Sequence, residues 1–479
     1  MMNNNANETA IPRLSQRKIT MIIATFALSV LVAAITVDMV NPMLPILSER
    51  FAASKSEISW VVSGVALILA IGVPMYGRMS DIFELKKLFI AAVSILSLGS
   101  FICALAPNLF VLVMGRMMQG AGMAAIPVLS VVAVSKLLPP GKRGSALGII
   151  AGSIGIGTAG GPIFGGTVGQ LWGWQALFWI TLLLSTLILV GTLYALPPLM
   201  SGIREGECRK FDFLGGTLLG LSAGLLLFGV TQGEAVGFGS VSAIGCLAGS
   251  SVALACFVWR IHAADHPFMP PVLFANRYYI CSLIVSVCSM FTYFAVLVFV
   301  PLLVVEVNGL TPGQAGLVLL PGGAAVAALS PVIGRLSDRV GTKRLIIAGA
   351  SMMGLSTFFL STYAAGNSPV HVSAGVLGTG IAFALLNSPA NSAAVSSVAK
   401  DQVGVGVGIF QGSLYLGAGT GAGLIGAVVS ARRGAAHPLN PFYELGAAAY
   451  SDAFLITTAA VAVAVAWTAA WGLRNDRMK

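Results

Sequence analysis

Charge is what this sequence has least of. Asp, Glu, Lys and Arg make up 9% of its 479 residues, against about 25% in a soluble domain. A chain of 49.2 kDa cannot dress a water-facing surface with so few charges. With 57% hydrophobic residues and a mean hydropathy of +0.90, a disordered chain is excluded as well. Cysteine is sparse, at 6 residues, and no pair has the spacing of a metal knuckle or a disulfide framework. Histidine is sparser, at 4, with His262, His266 and His437 in polar connections. No catalytic His/Asp or Cys/His constellation can be assembled within the apolar segments, so an enzyme is not expected. No G-x-x-x-x-G-K-[ST] loop is present to hold ATP. The net charge of +10 would suggest nucleic acid in a soluble protein; here the placement of the cations carries the information.

What is abundant is apolar sequence in runs of about 20 residues, the length that crosses a bilayer. Fourteen spans are predicted: 20–47, 58–78, 87–107, 109–135, 145–170 and 175–196, then 213–232 and 241–260, then 279–305, 313–333, 345–364, 371–398, 403–430 and 453–473. Span 1, which contains Asp38 and lacks a small-residue cleavage site, reads as a membrane helix rather than a signal peptide. Placing the N-terminus inside puts 22 of the 27 cations on the cytoplasmic side, which supports the count through the positive-inside rule. Both termini are then cytoplasmic.

The chain also repeats itself. Gly77 to Lys87 reads G-R-M-S-D-I-F-E-L-K-K, and Gly334 to Arg344 reads G-R-L-S-D-R-V-G-T-K-R. Each copy follows the second span of a block of six. The implied architecture is all-α and integral to the membrane. It has a cytoplasmic N-terminus (1–19), a six-helix bundle (20–196), a linker with two extra helices (197–277), a second six-helix bundle (278–473) and a cytoplasmic C-terminus (474–479). Two related halves around a central site is how many secondary transporters are built.

Four motifs in order resemble the major facilitator superfamily over nearly the whole chain, and most closely its fourteen-helix drug:proton antiporters, including tetracycline exporters of the Gram-positive type. The first is the repeated loop, regular in the second copy but with Ile82 and Glu84 where the first should have Arg and Gly. Next come Leu112-x-x-x-Arg116-x-x-Gln119-Gly120-Ala121-Gly122 in span 4 and Gly157-x-x-x-Gly161-Pro162-x-x-Gly165-Gly166 in span 5. The last is Phe211-Asp212-x-x-Gly215 before the extra pair. In span 1 the segment Asn41-Pro42-Met43-Leu44-Pro45 is recognisable, but the family's acid is shifted: Thr36 stands at its place and Asp38 follows. The resemblance implies a proton-coupled antiporter exporting amphipathic drugs, tetracycline-like or multidrug, by alternating access in the cell membrane. Its partners would be a small-molecule drug, protons and membrane lipid, with no cofactor, no metal and no nucleic acid. The alternatives are export of an endogenous metabolite, monovalent cation/proton exchange, or a non-transporting sensor on the same fold.

Physical chemistry adds residues to that expectation. A charge in mid-bilayer costs about 2.5–3.5 kcal/mol on insertion scales. Asp38 and Arg116 are the clear cases and fall at similar depth, so they are expected to pair and to carry proton coupling. Asn41, Gln119, Phe291, Tyr293, Asn387, Asn391, Gln411 and Tyr415 supply the oriented polar and aromatic groups that an apolar drug cavity needs. Gating falls to three groups. Gly77, Asp81 and Lys86 lie in the first loop, and Gly334, Asp338, Arg339, Gly341 and Arg344 in the second, where ion pairs would hold the inner side closed. Gly157, Gly161, Pro162 and Gly165 of span 5 are expected to meet span 10 and seal the outer side.

Overall fold

The computed structural model describes residues 16–53, 55–138, 140–197, 212–265, 267–399, 402–434 and 437–472. The expected cytoplasmic ends, most of the linker and Phe211 lie outside the described residues. Fourteen long helices account for nearly all of the rest, and no strand occurs among the described residues. They are α1 (Gln16–Asp38), α2 (Lys55–Ile82), α3 (Leu85–Ala104), α4 (Leu109–Leu137), α5 (Pro140–Trp172), α6 (Trp174–Ala195), α7 (Phe213–Val236) and α8 (Val241–Ala263). The others are α9 (Arg277–Glu306), α10 (Pro312–Val340), α11 (Thr342–Phe359), α12 (Pro369–Ser396), α13 (Val403–Ala431) and α14 (Ala448–Gly472). Thirteen helices are long and apolar enough to cross a membrane, and the bent α5 makes a fourteenth. Each coincides with a predicted span.

The sequence sets where these helices start and stop. Asn108 accepts from the Val111 amide to cap α4, Asp212 from Gly215 to cap α7, and Thr311 with Gln314 forms a reciprocal capping box on α10. Gly173 and Gly341 carry φ of +83° and +91°, and each lets one helix end and the next begin without a loop. Serines and threonines inside the apolar helices satisfy themselves locally, as Ser29 does on Thr25 O and Thr36 on Val32 O. Among the most exposed side chains are Val241 and Phe110, the reverse of a water-soluble protein and suited to lipid.

Helices α1 to α6 pack as one set and α9 to α14 as another. The sets meet along two seams, α2 against α13 and α5 against α10. Between them in sequence, α7 packs on α2 and α13 together, and α8 packs on α7. Helix α8 is peripheral, whereas α7 touches both halves. The repeated loops mark one end of the molecule, here called the loop end.

Candidate functional site

Span 1 does not run straight through. Helix α1 stops at Asp38, a 3-10 turn covers Asn41–Met43, and a short helix resumes at Leu44–Arg50. Pro42 explains the break: it has no N–H to return to the Asp38 carbonyl four residues back. Ending a helix inside the membrane leaves carbonyl oxygens without donors, which lipid cannot supply. Arg116 supplies them. Its Nη1 donates to Thr36 O at 3.0 Å and its Nη2 to Val37 O at 3.3 Å. Its Nε reaches Val61 O of α2 at 3.3 Å, and Nη1 also reaches Gln119 Oε1 at 2.9 Å. Gln119 Nε2 then donates to Ser100 Oγ of α3 at 2.8 Å. Four of the five guanidinium N–H groups are used, and one fully buried side chain holds α1, α2 and, through Gln119, α3 to α4.

This arrangement corrects two expectations. Arg116 and Asp38 interact electrostatically, but they form no ion pair within 4.0 Å among the described residues, because the guanidinium is spent on the carbonyls of the broken helix. Gln119 is also fully buried, with its amide committed to Arg116 and Ser100, so it braces the site and does not line a cavity.

Asp38 is half-buried with its Cβ facing Gly161 of α5; it does not line the small cavity between the halves, which its neighbour Val37 helps to wall. The cavity is walled by α1 (Val30, Ala33, Ala34, Val37), α2 (Leu69), α4 (Met123, Pro127) and α5 (Ile154), with Tyr415 entering from α13. Asp38 and Tyr415 are close enough to interact electrostatically. The other expected cavity residues are dispersed. Asn41 is exposed in the turn beyond the break. Gln411, Asn387 and Asn391 are buried, and Asn391 Oδ1 has no hydrogen-bond partner. The Tyr293 ring stacks on Phe383 with centroids 4.1 Å apart, its hydroxyl without a hydrogen-bond partner. The Phe291 backbone is pressed against Gly421 of α13, and Val287 one turn earlier against Gly417, close enough to leave those glycines no room for a Cβ.

At the loop end the two halves lock symmetrically. A Cβ on Gly77 would lie 2.5 Å from Gly408 Cα and 2.7 Å from Gly404 O, so α2 and α13 touch backbone to backbone. Gly334 does the same against Gly144 of α5. Asp81 accepts from the amides of Gly404 and Val405 at 2.7 Å each, at the N-terminus of α13, with the Lys136 charge beside it. In the second copy Arg335 Nε donates to Ser145 Oγ at 3.1 Å. The side chain of Asp338 lies outside the described residues. Asp81 thus meets a helix N-terminus where ion pairs within its own loop were expected; amides left free there attract an anion. Lys87 pairs instead with Glu84 at 3.0 Å. Lys86 donates to Leu193 O at 2.9 Å, capping an orphan carbonyl of α6 inside its own half, and so is not part of the contact between halves. Arg339 and Arg344 are exposed, and Gly341 serves the turn between α10 and α11.

The span 5 glycines divide in two. Gly148, Gly152 and Gly155 face Ser330, Ala327 and Val326 of α10, toward the loop end. Gly157, Gly161 and Gly165 face Ala34, Asp38 and Met39 of α1, within the same half. The two sets lie on opposite faces of α5, since Gly157 already faces α1 before the 42° bend between Arg143–Thr158 and Gly160–Trp172; Pro162 deprives Thr158 O of its donor and makes the bend possible. The motif glycines therefore do not meet α10, and the seal lies at the loop end and not the expected opposite one.

Three features escaped the sequence reading. The V-G-V-G-V-G run from Val403 to Gly408, at the start of α13, is the surface that receives Gly77 and Asp81, and its alternating glycines were a usable signal. Asp212 accepts from Phe268 N and from Arg260, and so ties α7 to the end of α8. Glu306 and Asp452 are engaged at the end opposite the loops, Glu306 with Arg433 and Tyr450, and Asp452 with Arg432 and the Leu439 amide.

Known proteins place this arrangement. A family model described as Major Facilitator Superfamily matches residues 26–422 and 282–477. The chain is 32% identical over 400 residues to the multidrug resistance protein Stp of Mycobacterium tuberculosis, covering 82% of this chain and 72% of that one. It is 27% identical over 412 residues to the tetracenomycin C resistance and export protein of Streptomyces glaucescens, covering 86% and 76%. It is 28% identical over 372 residues to the lincomycin resistance protein LmrB of Listeria monocytogenes, covering 77% and 78%. The solved structure of the human organic anion transporter MFSD10 superposes with a TM-score of 0.67 at 14% identity, over 94% of this chain and 99% of that one, a likeness of fold. With the family model spanning both halves and the fold in agreement, the chain belongs to the major facilitator superfamily.

Proposed function

We propose that the protein is a drug exporter of the cell membrane that trades amphipathic molecules for protons by alternating access. The printed functions of its relatives, multidrug and antibiotic resistance, support the export of drugs. The observation that carries the coupling is the position of Asp38. It sits half-buried at a helix break buttressed by a fully buried Arg116, next to the cavity-lining Val37 and within electrostatic reach of Tyr415, which lines the same cavity from the other half. A carboxylate there gains or loses its proton as the cavity fills and the halves shift, while Arg116 keeps the broken helix in register. The conformation described is closed at the loop end, through Gly77 on Gly408, Gly334 on Gly144 and Asp81 on the α13 amides. With the loops cytoplasmic, this state is closed to the cytoplasm. Opening it parts Asp81 from α13 and exposes the same cavity to the cytoplasm.

The test is ethidium or tetracycline uptake into inverted vesicles under an imposed pH gradient, with proton release followed in parallel. Drug-dependent proton release marks an exporter; drug binding without release would mark a sensor and end the antiport reading. Thiol labelling of Lys142→Cys from the cytoplasm and Ala53→Cys from outside checks the orientation.

A further inference from the structure

The start of α7 is clasped to the segment that leads into the C-terminal half. Asp212, buried, accepts from the Gly215 amide of its own helix at 3.1 Å, from the Phe268 amide at 3.2 Å and from Arg260 of α8. Phe268 is fully buried against Gly215 and Gly216, and a Cβ on either glycine would lie 2.9 Å from it. The acid and the glycine of F-D-x-x-G thus have separate tasks: one binds the Phe268 backbone, the other makes room for its side chain. From there the segment 267–276 is stiff. Pro267, Pro270 and Pro271 restrict its backbone, and Met269 and Leu273 are buried with Phe268.

That segment ends on the helix start that receives Asp81. Asn276 caps α9 through Oδ1, which accepts from the Tyr278 amide at 3.0 Å, while its Nδ2 donates to Ser397 O at 2.8 Å, ahead of α13. Tyr279, fully buried, donates its hydroxyl to Gly406 O of α13 at 2.7 Å. Gly406 follows Gly404 and Val405, whose amides Asp81 takes. This stretch of α13 needs support. Three of the six residues 403–408 are glycine, the weakest helix former after proline. Gly404 and Gly408 share the face that meets Gly77 of α2, whereas Gly406 points the other way, where a Cβ would lie 2.8 Å from Val398. The helix start is thus held by α2 on one side and by Tyr279 and Val398 on the other.

We propose that Asp212, Asn276 and Tyr279 are positioning residues for closure at the loop end. The F-D-x-x-G clasp anchors the segment 267–276, and that segment with the start of α9 holds the α13 N-terminus where Asp81 can take both amides. The inserted pair is therefore a brace for the closed state, applied from outside the two six-helix sets. Without it the glycine-rich start of α13 turns its amides away from a carboxylate that is fixed on the other half. The brace rests on the reading of the Asp81 contact as a latch, and closure is measurable with neither drug nor gradient.

The experiment uses the full chain in liposomes, its cysteines replaced, with spin labels on Lys87→Cys and Ser396→Cys, exposed positions at the loop end of each half. Dipolar distance distributions give the ratio of open to closed molecules. Tyr279→Phe keeps the ring and should raise that ratio about threefold, the scale of one net hydrogen bond. Asn276→Asp, which keeps the cap acceptor but loses the donor to Ser397 O, should do the same and serves if the first variant does not fold. Gly215→Ala, which displaces Phe268, should raise the ratio about twofold or more. Asp81→Asn should also open the loop end, and Tyr279→Phe added to it should then change little, because both act through the same two amides. Tyr443→Phe removes a similar buried hydroxyl, donated to Ala365 O at 2.9 Å away from the loops, and should change nothing. An unchanged ratio in Asp81→Asn would end the latch itself. With Asp81→Asn open, the brace is overturned by closed Tyr279→Phe and Asn276→Asp, by full additivity with Asp81→Asn, or by equal opening in Tyr443→Phe. A closed Gly215→Ala would overturn its anchor on α7.

Discussion

The two halves share a fold but place their charges differently. In the N-terminal half, Arg116 is fully buried and Asp38 stands at the break that ends α1, next to the cavity-lining Val37. The inner positions of the C-terminal half hold Asn387, Asn391, Gln411 and the Tyr293–Phe383 stack. Its acids Glu306 and Asp452 sit at the end away from the loops, tied to Arg433 and Arg432. The difference separates two tasks. An acid that must exchange a proton needs an incomplete set of partners, whereas an acid that fixes a loop needs a full one. Asp452, fully buried, receives Arg432 Nε and the Leu439 amide at 2.7 Å each. Among the described residues no comparable hydrogen bond fastens the Asp38 carboxylate, and Arg116 is the charge that acts on it.

The largest effect is expected from Arg116→Ala. It would strand the carbonyls of Thr36, Val37 and Val61 and the Gln119 amide in a dry interior, at about 1–3 kcal/mol for each orphaned group. Loss of the monodisperse detergent peak is expected, with Arg116→Lys recovering part of it because an ammonium lacks the planar fork. Normal thermal stability in Arg116→Ala would mean the break in α1 needs no brace.

Asp38→Asn and Asp452→Asn should then cross over. Asp38→Asn should keep the folded state and lose gradient-driven uptake by about a hundredfold, while drug-for-drug exchange survives. Asp452→Asn should lower stability by about 3–5 kcal/mol, the cost of breaking a buried pair, with residual molecules still coupled. Reading both by thermal melt and vesicle uptake gives a two-by-two outcome, and coupling loss in Asp452→Asn alone would reverse the assignment of tasks.

Much of this was legible beforehand, and the part that was not has a common cause. Long apolar runs and the cation pattern located the helices. The partners of Arg116 were hidden because they are backbone carbonyls, which have no signature in sequence; the only hint was Pro42, which ends the helix that exposes them. Asp81 was misplaced for the same reason, since its partners are the amides of Gly404 and Val405. The span 5 glycines were correctly read as surfaces of close approach, but a glycine does not say which neighbour approaches. That depended on the face of α5 each glycine occupies, Gly148, Gly152 and Gly155 on one and Gly157, Gly161 and Gly165 on the other.

A smaller effect belongs to the latch. Asp81→Asn keeps one acceptor for the two amides but removes the charge that favours a helix N-terminus, worth about 0.3–1 kcal/mol in ordinary settings and up to about 2 when partly buried. The loop end should open more often. Cysteines facing the cytoplasmic path should label about three to tenfold faster, with drug affinity nearly unchanged. Equal loss of affinity would move Asp81 from the latch to the binding site.

The smallest expected change is also the most specific to the C-terminal half. Tyr293 stacks on Phe383 at an interplanar angle of 13°, and its hydroxyl is buried with no hydrogen-bond partner. Tyr293→Phe keeps the ring and removes only that oxygen. An unpaired hydroxyl in an apolar setting costs about 1–3 kcal/mol by mutational measures, so the empty protein should be equally stable or slightly more so. If the hydroxyl is kept for a drug, the gain reverses on binding: the variant should bind a polar polycyclic drug such as tetracycline about five to tenfold more weakly, roughly 1–1.4 kcal/mol. A purely apolar cation of similar size should bind as before. Tryptophan-quenching titrations with the two ligands, beside a thermal melt without ligand, separate the cases. Equal affinity for both would leave the C-terminal half as packing surface alone and assign drug recognition to the half that carries Asp38.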